Sequence, residues 1–231
     1  MAAYALCEPF LGPGRVLDLG CGSGHSFDRL APRESVGVDL AAEALVGQER
    51  ETVVADMRSL PFPDLSFCSI VAVHSIEHVP DPERAVAEAA RVLDPGGVAI
   101  FVTPNRLTFG RPDEIIDPYH HVELDPRELE GLCARSFGEV ELRGIFGSHR
   151  YLELFKAERI TLGRLLRADP LRLRRLVPRR GRQLIYDGLL RHYRPAADPR
   201  AEAIADDDFE LRDARLEEAL DLCALCRSPL R

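Results

Sequence analysis

No run of 18 or more apolar residues occurs in the 231-residue chain, so no segment reads as a membrane span. The opening stretch, M-A-A-Y-A-L-C-E-P-F, has no basic segment leading into an apolar one, which argues against an export signal and predicts a cytoplasmic chain. Internal repeats and low-complexity tracts are missing as well. Cysteine is sparse: the six residues Cys7, Cys21, Cys68, Cys133, Cys223 and Cys226 are scattered, which suits free thiols in a reducing compartment. Only Cys223 and Cys226 form a CxxC. Without a second close pair or a histidine pair they carry no metal, and L-D-L-C-A-L-C-R reads as a buried strand. Lysine occurs once, at Lys156, so nearly all positive charge is arginine.

What is present describes a globular chain, with 45% hydrophobic and 29% charged side chains. A fold of this size buries roughly 70 to 75% of the unfolded surface, enough for one domain over residues 1–231 without a staple. Thirty basic against 38 acidic residues, a net charge of −8, exclude a general nucleic-acid binder. The charge is unevenly spread. Residues 1–150 hold 13 basic and 24 acidic side chains, residues 151–195 hold 12 and 4, and residues 196–231 hold 5 and 10.

From Arg15 to Asn105, short β-branched runs alternate with helical stretches, the pattern of a doubly wound α/β parallel sheet. The predicted strands are 15–19, 35–39, 52–55, 69–74 and 98–103, and their continuous apolar character fits burial on both faces. Between the last two, Ala85, Val86, Ala89, Ala90 and Leu93 recur at helical spacing behind an Asp81 N-cap and Pro82, and the helix stops at Pro95-Gly96-Gly97. A capped helix is predicted from Asp125 to about Arg135, a strand over 139–146, amphipathic helices over 150–200, and a final strand at the carboxyl end. If the last two strands pair, residues 150–217 form a helical insertion between them.

V-L-D-L-G-C-G-S-G, from Val16 to Gly24, is the most informative segment. A strand running into Gly20, Gly22 and Gly24 lets the backbone turn tightly, approach a ligand and open a helix whose N-terminus favours negative charge. A dinucleotide fingerprint would place its third glycine at position 25, where His25 stands. Asp18 precedes the first glycine, where it meets a cationic amine rather than a pyrophosphate. Asp39, 19 positions beyond Gly20, ends the second strand where an acid accepts hydrogen bonds from both ribose hydroxyls. Asp56 ends the third strand and offers an acceptor for an exocyclic adenine amine.

With L-D-L-G-C-G-S-G, the acid in V-G-V-D-L, A-D-M-R-S-L-P-F, H-S-I-E-H-V from His74 and R-V-L-D-P-G-G-V-A-I, the chain resembles the class I S-adenosylmethionine-dependent methyltransferases. The resemblance runs from about Val16 to Phe146 and returns at the terminal strand. It implies a seven-stranded, mostly parallel sheet of order 3-2-1-4-5-7-6 with the last strand antiparallel. It also implies that Asp18 and the Gly20–Gly24 loop hold the methionine moiety, Asp39 the ribose, and Asp56 with the Met57 backbone the adenine. The His74 carbonyl would take the cofactor amine. Only 15 residues precede Val16, fewer than in relatives that cover the cofactor with a longer helical segment, so that side is expected to lie open or the native start upstream.

Methyl transfer needs the nucleophile in line with the methyl carbon, and a base only where the acceptor must lose a proton. His74, Glu77 and His78 follow the fourth strand at the ligand-binding edge, and His78 is the first candidate base. A second cluster, D-P-Y-H-H-V-E-L, resembles Tyr-His-x-x-Glu stretches that line acceptor pockets in relatives modifying glycans, lipids or secondary metabolites. It assigns Tyr119, His120 and Glu123 to the acceptor pocket and makes His121 a second candidate base, with no metal. The arginine and leucine stretch 159–182 reads either as a solvated helix face or as a lid attracting an anionic acceptor or a peripheral membrane surface. The expected reaction is transfer to oxygen, and in second place nitrogen, of a small molecule, glycan or lipid-linked intermediate. An NAD-dependent oxidoreductase and a cofactor-binding regulator without transfer are the competing readings.

Overall fold

The computed structural model describes residues 2–25, 27–109, 115, 117–154, 178, 181, 183 and 199–230. Short apolar runs form the strands β1 (Val16–Leu19), β2 (Ser35–Asp39), β3 (Glu51–Val54), β4 (Phe67–Val73), β5 (Leu93–Pro104), β6 (Phe137–Gly147), β7 (Phe209–Arg212) and β8 (Asp221–Pro229). They make one sheet of order β3-β2-β1-β4-β5-β8-β6-β7. Strands β1 to β5 pair in parallel, whereas β8 runs antiparallel between β5 and β6. That is the expected doubly wound order with one strand added. The eighth strand is β7, antiparallel to β6 on the outer edge, in a stretch expected to be helical. Its cause is local: Phe209 and Leu211 alternate with Glu210 and Arg212, a period of two that lays Leu211 beside Ile145.

Among the described residues, the α-helices that flank the sheet include α1 (Ala2–Cys7), α2 (Pro82–Val92), α3 (Arg106–Phe109) and α4 (Pro126–Ala134). Asp81 caps α2 by accepting from the Arg84 amide at 3.2 Å. Helix α4 starts with a reciprocal box between Asp125 and Glu128. Val86 and Ala89 of α2 and Leu129 and Cys133 of α4 pack with Leu17, Val36, Ala72 and Phe101 on one face of the sheet. Ala3, Tyr4 and Cys7 of α1 pack with Val71, Ile100, Val102 and Leu225 on the other. Cys223 and Cys226 therefore face opposite ways, Cys223 toward α1 and Cys226 toward α4, as residues three apart on a strand must. They cannot share one ion.

Two local expectations fail. Pro95–Gly97 does not end α2 but bulges within a longer β5, whose partners shift between Phe67↔Leu93 and Ser69↔Val98. After the glycine loop the described residues form only a 3-10 turn, Phe27–Leu30, not a helix. The link from β1 to β2 is short, and Pro32 disfavours helix at the residue before it. The two ends of the connection from β6 to β7 are tied together: the Ser148 hydroxyl donates to Asp208 Oδ1 at 2.6 Å, and Arg150 pairs with Asp208. Nearly all of residues 155–198, including most of the expected lid and the whole of 159–177, lies outside the described residues.

Candidate cofactor and acceptor site

The carboxyl ends of β1 to β4 open onto two adjoining clefts that share Gly20. One, of about 230 Å³, is lined by Tyr4, Asp18, Gly20 to Gly24 and His25. The other, of about 380 Å³, is lined by Asp39, Leu40, Asp56, Met57, Ser75 and His78 among others. Gly20, Gly22 and Gly24 all have positive φ, +69°, +54° and +73°, the region where a side chain is strained. A Cβ on Gly22 would meet nothing within 4 Å, so the loop backbone faces open space that a ligand can approach. Ser75 Oγ, buried on the wall of the larger cleft, has no protein partner among the described residues. A half-buried glycine backbone lining the cleft, an orphaned hydroxyl and a carboxylate at a strand end fit an adenosyl group with an amino-acid tail.

The acids are less free than their positions in the sequence suggest. Asp39 holds its own loop, accepting from the Gly22 amide at 2.8 Å and the Ala41 amide at 2.9 Å. A carboxylate offers about four acceptor sites, so these two bonds leave Asp39 further acceptor capacity. Asp56 is clamped by the Arg58 guanidinium, whose Nη2 donates at 2.6 Å, and this hydrogen bonding holds its carboxyl below the usual range. Asp18 is 1% exposed, and neither oxygen is left unpaired. Tyr4 Oη donates to Oδ1 at 2.8 Å and Arg50 Nη2 to Oδ2 at 2.7 Å. Burial pushes the Asp18 carboxyl up against the pull of Arg50. Burial, with Asp18 adding to it, also raises the Cys21 thiol to about 11, so it stays protonated near neutral pH. Tyr4, Gln48 and Arg50 carry no motif, and Ser75 lies inside H-S-I-E-H-V without being singled out by it; Tyr4 and Arg50 lie 14 and 32 residues from Asp18 in sequence.

Beyond β4 the chain turns through His74, whose φ is +49°. Its ring lies between two carboxylates, Nδ1 3.6 Å from Glu77 Oε1 and Nε2 3.6 Å from Asp221 Oδ2, ion-pair rather than hydrogen-bond distances. Burial lowers the pKa of the ring, but Asp221 and Glu77 outweigh it and raise it to about 10. A protonated His74 cannot serve as a base near neutral pH. Because the folded pKa exceeds the ordinary value of about 6.5, its contribution to stability is complete below pH ~6.5 and is lost as pH rises toward 10. At 42% exposure the effect is screened and small. Thermal denaturation should show the wild-type Tm falling more steeply over this window than that of Asp221→Asn; equal slopes would remove the pairing.

The segments around His78 and His120 converge in space. Thr103 Oγ1 donates to Glu77 Oε2 at 3.2 Å, and the His121 amide donates to the Glu77 carbonyl at 2.7 Å, drawing the Tyr119–Glu123 segment against the β4 turn. His78 Nδ1 lies 3.3 Å from the Tyr119 carbonyl, and its ring stands edge-on to His120 at 5.0 Å. His120 is buried and its Nδ1 lies 3.0 Å from Glu123 Oε1. Burial lowers its pKa, but Glu123 and neighbouring acids raise it further. Glu123 Oε2 is buried without a protein partner among the described residues. Glu77, His78 and His120 each bring a ligand-type atom within 4.8 Å of the others, a grouping that the spacing did not reveal. His121 is exposed. No helix among the described residues is long and apolar enough to cross a membrane.

Known proteins fall into the same class. A methyltransferase-domain family model matches residues 17–101. A probable S-adenosylmethionine-dependent methyltransferase of Mycolicibacterium smegmatis is 32% identical over 227 residues, covering 93% of this chain and 81% of that protein. Another, of Mycobacterium tuberculosis strain H37Rv, is 36% identical over 149 residues, 60% of this chain and only about half, 54%, of that protein. The solved structure of a Thermotoga maritima S-adenosylmethionine-dependent methyltransferase, titled a possible histamine N-methyltransferase, shares the fold with a TM-score of 0.63 at 18% identity, over 98% of this chain and 88% of that one. A glycine loop behind β1, an acid at the end of β2 and relatives of this kind lead to one assignment: the chain belongs to the class I S-adenosylmethionine-dependent methyltransferases and uses S-adenosylmethionine as its methyl donor.

Proposed function

We propose that the chain transfers the methyl group to a hydroxyl oxygen of a small molecule, glycan or lipid-linked intermediate. The observation that carries this reading is His78, which lines the same cleft as Asp39 and Asp56 while its Nδ1 faces the Tyr119 carbonyl. A carbonyl only accepts, so in the neutral ring Nδ1 donates and Nε2 keeps the basic lone pair. That is the tautomer a hydroxyl acceptor needs. Tyr119, His120 and Glu123 form the adjoining acceptor wall, His121 is the second candidate base, and the Glu77, His78 and His120 grouping is assigned to this wall without a metal. Among relatives whose names state an acceptor, a ubiquinone biosynthesis O-methyltransferase of Paracidovorax citrulli is 28% identical over 174 residues.

On the donor side, the Gly20–Gly24 loop and the His74 carbonyl are assigned to the methionine end, Asp39 to the ribose, and Asp56 with Met57 to the adenine. Residues 150–217 are assigned as a lid at this edge, and the net +8 of residues 151–195 favours an acidic or phosphate-bearing acceptor or surface. Transfer to nitrogen is the second reading, favoured by the carboxylates of Glu77 and Asp221 beside His74. Incubating cell extracts with methyl-labelled S-adenosylmethionine and identifying the labelled product decides between them: a methyl ether supports the first reading and a methylated amine the second.

Asp39→Ala tests the donor side by itself. Two charge-assisted hydrogen bonds to ribose hydroxyls, each worth roughly 1.5 to 3 kcal/mol, should be lost, so calorimetry should show S-adenosylhomocysteine binding at least about tenfold weaker. Unchanged affinity would take Asp39 out of the site.

A further inference from the structure

The glycine loop lacks the support a crossover helix gives, since only the 3-10 turn Phe27–Leu30 follows it among the described residues. Two other contacts grip it at Gly22. Asp39 Oδ2 takes the Gly22 amide at 2.8 Å, and Gln48 Nε2 donates to the Gly22 carbonyl at 2.8 Å. Gln48 is aimed by Arg50, whose Nε donates to Gln48 Oε1 at 3.0 Å. The guanidinium continues inward: Nη1 lies 3.3 Å from Ser35 Oγ, and Nη2 reaches Asp18 at 2.7 Å, with the two side chains 5% and 1% exposed. It crosses β2 at Gly37, the register partner of Asp18, where a Cβ would come within 2.9 Å of Nη2. The Phe27 ring lies 5.0 Å from the guanidinium carbon. One connected path thus runs from Tyr4 through Asp18, Arg50 and Gln48 to the Gly22 carbonyl.

We infer that Arg50 is a positioning residue for the cofactor: it neutralises Asp18 and, through Gln48, sets the Gly22 carbonyl, so the floor of the methionine-side cleft presents a closed ion pair instead of a free carboxylate. A buried carboxylate whose cation is removed is left at high cost, whereas replacing both partners by neutral groups is tolerated far better. The inference rests on the placement of the cofactor along the Gly20–Gly24 loop. Asp39→Ala checks that placement without touching Arg50. The groups facing Asp18 are Tyr4 from α1, Cys21 from the loop, Asp39 from the end of β2 and Arg50 from the entry to β3.

Calorimetric titration of the full chain with S-adenosylhomocysteine, from about pH 6 to 9 and well below the Tm of each variant, tests it. Arg50→Gln should bind at least about tenfold more weakly than wild type and show a steeper pH dependence than wild type, because burial raises the Asp18 carboxyl and Arg50 no longer opposes it. Asp18→Asn combined with Arg50→Gln should remove that added pH dependence while affinity stays below wild type, since Gln48 has still lost its anchor. Gln48→Ala leaves the ion pair intact and serves even if Arg50→Gln does not fold; it should weaken binding about threefold or more at unchanged Tm. Wild-type affinity in both Arg50→Gln and Gln48→Ala, in Gln48→Ala alone where Arg50→Gln is unfolded, or an added pH dependence that survives Asp18→Asn, would overturn the inference.

Discussion

Replacing His78 by alanine should lower turnover by about 10² to 10⁴-fold, the usual contribution of a positioned base, while S-adenosylhomocysteine affinity stays within about threefold. The asymmetry follows from where the ring stands. Its Nδ1 contacts the Tyr119 carbonyl and its ring packs edge-on to His120, both on the proposed acceptor wall, while Asp39 and the glycine loop keep their own contacts. His121→Ala should do less, because it is the His121 backbone amide that holds the Glu77 carbonyl, and that amide survives the substitution. Steady-state rates with the identified acceptor, set beside calorimetry, decide the matter. A collapse of cofactor affinity with normal turnover at saturation would move His78 to the donor side, and an unchanged rate would mean that the acceptor arrives already deprotonated.

How far the chain could be read in advance depended on whether a signal was local. Strands β1, β2 and β4 and helix α2 announce themselves by apolar runs, helical spacing and caps within a few residues. The glycines at 20, 22 and 24 and the acid at 39 do the same for the cofactor loop. Strand β7 escaped because its four residues lie in a stretch dominated by charge, where an alternation of two apolar residues is weak against the helical pattern before it. The helix expected after Gly24 failed because the glycine pattern says how a loop starts, not how many residues remain before β2. What the sequence hid most completely were partners. That Arg50 reaches Asp18 depends on β2 placing Gly37 beside Asp18, and that Asp221 reaches His74 depends on β8 lying next to β5. Neither follows from spacing along the chain.

Substitution of Gly20 by alanine should weaken S-adenosylhomocysteine binding by about a hundredfold and lower the Tm by roughly 5 to 15 °C. Two costs add. At φ +69° an alanine pays roughly 1–2 kcal/mol for the left-handed conformation, and its Cβ would lie 2.4 Å from the Ser75 Cβ, where carbons at rest keep about 3.5 to 4.0 Å. Relief requires the loop or the β4 turn to shift by about 1 Å, at a further cost of roughly 1 to 3 kcal/mol, and a shift of that size is what a preorganised site cannot absorb. Gly22→Ala is the control: it has the same conformational cost at φ +54°, but its Cβ meets nothing within 4 Å, so its Tm should fall by only a few degrees while the methyl stands in the cleft and blocks the ligand. Both variants should lose affinity, and only Gly20→Ala should lose much stability. If Gly20→Ala instead kept wild-type Tm and affinity, the loop could not have the left-handed turn packed on Ser75 that brings Gly22 to the ligand.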